Sequence, residues 1–284
     1  MKSKTTLALI LIAFLGFSKA SAQINLGERA LGALQNGMAA FTFSDEDAAN
    51  LSKAAVKKLD STNTVAGPKD GYTLRLNRVF GKHSTENGLK LNYKVYLTKE
   101  VNAFATADGS VRVFSGLMDI MDDTELLAVI GHEIGHVANH DSKDAMRLAY
   151  GKAFFINGLA SQSSAIAKAT DSQLGQIGSA IIDNHYSRKQ ESQADAFAYD
   201  FLKRNKYDVN AEEAAFNLLV NLSQGETTNI LTKMMSNHPD SKERAEIAKE
   251  RAQADGLYKP YVAKSINNKA PAIKTAPKKA TKKK

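Results

Sequence analysis

The chain has 284 residues, 43% of them hydrophobic, with no cysteine and no tryptophan. That is enough apolar material for one large domain or two small ones, and the lack of cysteine rules out a disulfide framework, a thiolate metal site and an acylated N-terminal cysteine. The net charge of +8 is concentrated at the two ends, in three lysines within residues 1–22 and eight within 264–284, so the stretch between is mildly acidic and makes a poor nucleic-acid surface.

Taken in chain order, Lys2 and Lys4, an apolar run over 7–17 and the small residues Ala20-Ser21-Ala22 predict a secretory signal over 1–22, with a mature chain from Gln23. The run is too short to span a bilayer, and no later stretch approaches twenty apolar residues. The expected product is soluble, periplasmic or secreted, and not a lipoprotein. One domain is expected over 23–263, with its core at about 72–255. Ser44-Asp45-Glu46-Asp47 reads as the cap of a helix through Ala54, Ala55 and Leu59, and Gly67-Pro68 marks a turn. Residues 72–82 suit either a helix or a strand.

Residues 89–97, LKLNYKVYL, alternate as a strand does, with Leu89, Leu91, Tyr93, Val95 and Leu97 on one face. Residues 102–106 and 111–114 then flank Asp108-Gly109, the signature of a tight hairpin. Such a hairpin is either purely structural or presents an edge to which an extended peptide adds through main-chain hydrogen bonds.

The hairpin leads into residues 124–141, TELLAVIGHEIGHVANHD, which carry His132, Glu133 and His136 in the pattern His-Glu-x-x-His. On a helix, residues four apart lie on one face about 6 Å apart, so His132 and His136 can hold one zinc ion from the same side. Glu133 is turned about 100° from His132, which suits a carboxylate that reaches a metal-bound water without ligating the metal. Asp122 or Asp123 can cap this helix, and His140 reads as a helix-end residue too far along the axis to share the ion with His132.

A catalytic zinc site needs a third protein ligand and an open position. In residues 187–203, SRKQESQADAFAYDFLK, Ser187 and Gln190 form a capping box that places Glu191 in the first turn and Asp195 one turn on. We read Glu191 as the third ligand and Asp195 as a carboxylate accepting a hydrogen bond from a ligating imidazole; the competing reading is a solvated charged face. The 50-odd residues between His136 and Glu191 read as helical. His83 and His185 are expected at the surface. Residues 264–284, rich in Lys, Ala and Pro, are expected to be a disordered tail, either simply solvated or drawn weakly to anionic membrane.

NAFATADGSVRVFSGLMD, HEIGHVANH, SRKQESQADAFAYDFL and NHPDSKER occur in that order. Together they resemble the CAAX-prenyl-protease and HtpX-like zinc metallopeptidases, metallopeptidase family forty-eight, in its soluble periplasmic branch. The resemblance spans residues 91–248. It implies an α+β, mostly helical gluzincin-type fold with a small antiparallel sheet, one zinc on His132, His136 and Glu191, and Glu133 as catalytic base. It also implies substrate contacts from Asn102, Ala103, Phe104 and Ala105, and roles for His238 and Arg244. His238 would donate to the reaction's oxyanion or position a donor; the alternative is that His238-Pro239 merely caps the helix starting near Ser241. The expected activity is hydrolysis of extended or misfolded envelope proteins. The alternative is a chaperone-like or scaffold protein whose metal site is structural or latent.

Overall fold

The computed structural model describes residues 43–155, 169–223, 234 and 236–268. The predicted signal sequence lies outside the described residues, as do residues 269–284 of the predicted tail. Among the described residues no helix is long and apolar enough to cross a membrane.

Helix α1, Asp45–Thr62, begins on the predicted Ser44 cap, whose side chain accepts from the Asp47 N–H while the Asp47 carboxylate accepts from the Ser44 N–H. The ambiguous stretch is a helix, α2, Gly71–Phe80. Its buried Arg75 sends its guanidinium to the carbonyls of Met118 and Met121 and to Asp123, so tertiary contacts decide what local pattern left open. Two short strands, β1 (Thr85–Glu86) and β2 (Leu89–Lys90), pair with each other, and β3 (Asn92–Tyr96) follows. The single strand expected over 89–97 is therefore broken at Leu91. Leu97 is exposed and Tyr96 buried, the reverse of the expected alternation there. The Tyr96 hydroxyl donates to Asp60 at 2.7 Å, which turns that ring inward.

The hairpin forms as expected: β4 (Ala103–Ala105) pairs antiparallel with β5 (Ser110–Phe114), and Gly109 takes φ +80° where a Cβ would meet the Lys90 carbonyl. β3 adds to β5 in parallel, so the sheet is mixed, with order β3-β5-β4 and β4 on an edge.

On the face of this sheet Arg112 and Lys94 clasp Asp60 at 2.7–3.0 Å. Burial alone would raise the Asp60 pKa, but hydrogen bonds from Arg112, Lys94 and Tyr96 outweigh it and bring it to about 2. Because the folded value lies below the unfolded value of about 3.9, the stabilisation is full above that pH and is lost as pH falls toward 2. With solvent screening at this half-buried group, about 1–2 kcal/mol is expected. Asp60→Asn should lower unfolding stability by that amount at pH 7, and the gap should close as pH falls to about 2 and below in chemical denaturation; a gap independent of pH would refute it.

After the short helix α3 (Ser115–Ile120) comes α4, Asp123–Ala138, the centre of the molecule. Of the two predicted caps the fold uses Asp122, which accepts from Thr124 and Glu125 N–H, and Glu125 closes the box on the Asp122 N–H. Leu126, Ile130 and Ile134 are fully buried, and α4 packs against β4 on one side and two later helices on the other. Helices α5 (Asp141–Phe155) and α6 (Asp171–Ile182) lie between His136 and Glu191, in keeping with the helical reading. They are followed by α7 (Arg188–Arg204), α8 (Asn210–Ser223) and α9 (Ser241–Ala254).

The closest crossing is α4 on α7. A Cβ on Gly135 would meet the Ala194 Cα and carbonyl at 2.9 Å, and one on Gly131 would meet Phe201 at 3.1 Å and the Ala198 Cα at 3.4 Å. Two glycines four apart thus face two alanines four apart, so the backbones nearly touch and the side chains just beyond the crossing are brought together.

The chain after α9 returns to the start of α4. Tyr261 Oη donates to Asp122 at 2.8 Å, the Lys264 N–H donates to the same carboxylate at 2.7 Å, and Asn268 Nδ2 donates to Asp119 at 2.7 Å. These contacts tie the chain as far as Asn268 to the start of α4 and to α3.

Candidate metal centre

Four donors converge where α4, α7 and the segment before α9 meet: His132, His136, Glu191 and His238, all buried, with ligand atoms within 4.8 Å of one another. His132 Nε2 lies 3.0 Å from His136 Nε2 and 3.2 Å from His238 Nδ1. Glu191 Oε1 is 3.0 Å from His238 Nδ1 and 3.5 Å from His136 Nε2, and Oε2 is 3.5 Å from His132 Nε2. Atoms held about 2.0–2.1 Å from a common tetrahedral centre are separated by about 3.3 Å, so these spacings fit a set of metal ligands. With no cysteine in the chain, the donor set is imidazole and carboxylate.

The outer nitrogens show how the two helical histidines are aimed. His132 Nδ1 is 2.9 Å from Asp195 Oδ1, and His136 Nδ1 is 2.9 Å from Asp141 Oδ2. Each carboxylate accepts the Nδ1 proton and leaves Nε2 with a lone pair toward the centre. Burial and the Arg244 charge push the His132 pKa down to about 3, which keeps that ring neutral. Arg244, from α9, forks onto both oxygens of Asp195 at 2.6 and 2.9 Å and pairs with Glu191 through Nη1. Its guanidinium lies 4.3 Å over the Phe216 ring. Burial would raise the carboxyl of Glu191, but hydrogen bonds from His136 and His238 and the nearby His132 hold it far below the usual range, so it stays ionised.

Glu133 faces the same space without joining the donors. It is buried, its Oε1 has no hydrogen-bond partner, and that atom is 3.5 Å from His238 Nε2. Burial pushes its pKa up to about 7.

The structure therefore brings His132, Glu133, His136, Glu191, Asp195, His238 and Arg244 together. His238 does not cap α9: that position is held by Asp240, in the left-handed region at φ +64°. Instead His238 is buried among the donors, in a segment whose backbone meets Met234 and Tyr186. Asn102 and Ala103–Ala105 lie beside α4 on the sheet edge, and all are buried. Asn102 Oδ1 accepts from the Ala103 N–H at 2.9 Å, while its Nδ2 has no partner.

Two residues at the site were not read from the sequence. Asp141 sits five residues after His136, just past the helix, and also accepts from Gln190 Nε2 at 2.9 Å, tying the start of α5 to the start of α7. Tyr186 stacks on His136 with ring centroids 3.6 Å apart and planes within 10°. The position of Asp141 directly after the motif helix was an available signal; nothing local marks Tyr186. His140, at φ +64°, lies beyond the helix end and faces Asp45, away from the donors. His83, expected at the surface, is buried, with Nε2 2.7 Å from the Tyr207 hydroxyl. His185 is exposed as expected.

A mostly helical body with a small sheet and this His/His/Glu cluster beside a buried glutamate fit a metallopeptidase of gluzincin-like fold, and the profile of peptidase family M48 matches residues 73–252; the chain belongs to that family. It is 37% identical to metalloprotease LoiP of Escherichia coli over 230 residues, 80% of this chain and 90% of that protein. It is 38% identical to metalloprotease YcaL of the same organism over 217 residues, 76% of this chain and 84% of the relative. A shorter match, 34% over 96 residues and 32% of each chain, joins it to protease HtpX of Nitrosococcus oceani.

Proposed function

We propose that the protein is an exported zinc endopeptidase that cuts extended or misfolded segments of envelope proteins. The observation that carries this reading is the convergence of the His132, His136 and Glu191 donors at tetrahedral spacing beside Glu133, a buried carboxyl with a free oxygen. Zinc is the metal that suits two imidazoles and a carboxylate at these separations. Export is supported by the pattern of residues 1–22.

When bound, the metal supplies a water made acidic near neutral pH and polarises the scissile carbonyl. Glu133 takes the proton of the attacking water and passes it to the departing amine, work for which a carboxyl near pH 7 is matched. Asp195 and Asp141 hold the two imidazoles in one tautomer, and Arg244 fixes Asp195 and Glu191. We assign Asn102, whose Nδ2 is buried and unpartnered, a donor role toward a substrate carbonyl near the β4 edge. We assign His238, which lies among the donors, as the group that meets the oxyanion at the metal.

The test is digestion of casein by residues 23–284. A chelator should abolish cleavage and lower the melting temperature, and stoichiometric zinc, not magnesium, should restore both. Undiminished cleavage by chelator-treated protein free of metal would end the reading. In the same assay His238→Ala should lose about a hundredfold; a loss under about threefold would remove it from the oxyanion role.

A further inference from the structure

Beyond α9, residues 257–268 form neither helix nor strand, and polar groups pin this strap to the body. Asn210 Nδ2 donates to the Leu257 carbonyl and Asn210 Oδ1 accepts from the Lys259 N–H, each at 3.1 Å. Further on, Tyr261 and Lys264 share the Asp122 carboxylate, and the Asn268 side chain bridges Arg75 and Asp119 at 2.8 and 2.7 Å. Tyr258 packs on the core, but other apolar side chains of the strap turn outward. Six large hydrophobic side chains are exposed among the described residues, and three of them, Leu257, Val262 and Ile266, fall within this one stretch. Val262 is 79% exposed, and its place is enforced. Tyr261 and Lys264 on either side are bonded to the same carboxylate, so Val262 and Ala263 between them are held toward solvent. A segment that gives its polar groups to the protein and its apolar ones to water reverses the ordinary surface loop, and clustered exposed apolar groups mark an interaction surface.

The charge along the strap selects the partner. Its own bonds occupy Asp122 and Asp119, and the neighbouring acids are matched: Asp208 with Lys259 at 3.1 Å, Asp255 with Lys203 at 2.7 Å, and Asp123 with Arg75 at 2.7 Å. Lys264 is exposed two residues from Val262, and residues 264–284 carry eight lysines and no acid. Protein interfaces are depleted in lysine, whereas a surface of many phosphates attracts every one. A single weak signal gives only marginal attachment to a bilayer; stable attachment takes two, such as apolar insertion together with a polybasic stretch.

We propose that the strap from Leu257 to Asn268, with the lysines that follow it, is a docking surface for an anionic phospholipid bilayer. Val262 and Ile266 enter the headgroup layer and the lysines meet the phosphates. The strap is anchored at the Asp122 cap of α4, and His132 lies ten residues further on. The donor cluster is therefore about 15 Å along the helix axis from the anchor and is no part of the docked surface. The proposal is independent of the peptidase reading.

The experiment sediments residues 23–284 with vesicles of phosphatidylethanolamine and phosphatidylglycerol, or of phosphatidylcholine alone. At about 0.05 M salt the anionic vesicles should bind at least about tenfold more tightly than the neutral ones, and the preference should vanish at about 0.5 M. Val262→Asp combined with Ile266→Asp should weaken binding to the anionic vesicles by about tenfold and leave the melting temperature within about 2 °C, since both side chains already reach water. The chain has no tryptophan, so Val262→Trp adds a sole indole reporter, whose emission should shift to the blue with anionic vesicles and stay unmoved with neutral ones. Equal binding to both vesicle types, full binding by the double variant, or an unshifted emission would each overturn the proposal. Capture of a DNA duplex in place of vesicles, or a dimer that Val262→Asp disperses without any lipid binding, would give the surface to another partner and overturn it as well. Casein cleavage plays no part in this readout, so the peptidase reading stands or falls separately.

Discussion

Glu133→Gln should cut the hydrolysis of an unfolded protein by at least about a thousandfold while the chain still binds one equivalent of zinc. The substitution keeps the size of the side chain and removes only its capacity to take a proton. Glu133 lies outside the donor set, so the metal should be held as before. Its free Oε1 faces His238 Nε2 across 3.5 Å, and burial already places its pKa near 7, where a base can both accept and release. The loss should therefore fall on kcat with little change in KM, since a proton transfer in the transition state is removed and binding is not. Zinc content by mass spectrometry of the native protein and casein turnover decide the matter together. Residual activity above about a tenth of the parent would show that another group takes the proton.

Arg244→Ala should be the most destabilising single change at the site, by about 3–5 kcal/mol in the metal-free protein. Arg244 is the shared cation of two buried carboxylates, forked onto Asp195 and paired with Glu191. Taking it away strands both charges in a place water does not reach. The second consequence is on the metal, since Asp195 holds His132 through Nδ1 and loses its own anchor, so zinc affinity should fall by about 10–100-fold. Arg244→Lys should rescue little, because an ammonium cannot span the same fork. Thermal unfolding without metal and a zinc competition titration measure the two effects. A stability change under about 1 kcal/mol would mean that the carboxylates find other partners.

The parts of the site that were legible in the sequence are those whose spacing follows one helix. His132, Glu133 and His136 obey the turn of α4, and Glu191 and Asp195 obey that of α7, announced by the Ser187 box that the fold does form. What stayed hidden depends on contacts between elements. Asp141 and Tyr186 act only because a helix end and a loop come back to His136. His83 looked like a surface residue because its polar neighbours in sequence gave no sign of Tyr207, 124 positions away. The same limit explains residues 72–82, whose buried Arg75 is read only once the carbonyls of Met118 and Met121 are in place. Gly131 and Gly135 sat in plain view within the motif, yet their purpose, letting Ala198 and Ala194 approach, needs the second helix.

The tie between the far end of the chain and the start of α4 bears on when a working enzyme can exist. Synthesis delivers the N-terminal side first, so the motif helix emerges with its two imidazoles long before Glu191, His238 and Arg244, and before Tyr261 and Lys264 reach the Asp122 cap. An unfinished chain therefore holds half of a donor set on a helix whose end is incompletely secured. Competence to cut other proteins therefore arrives only after the last of these contacts has formed.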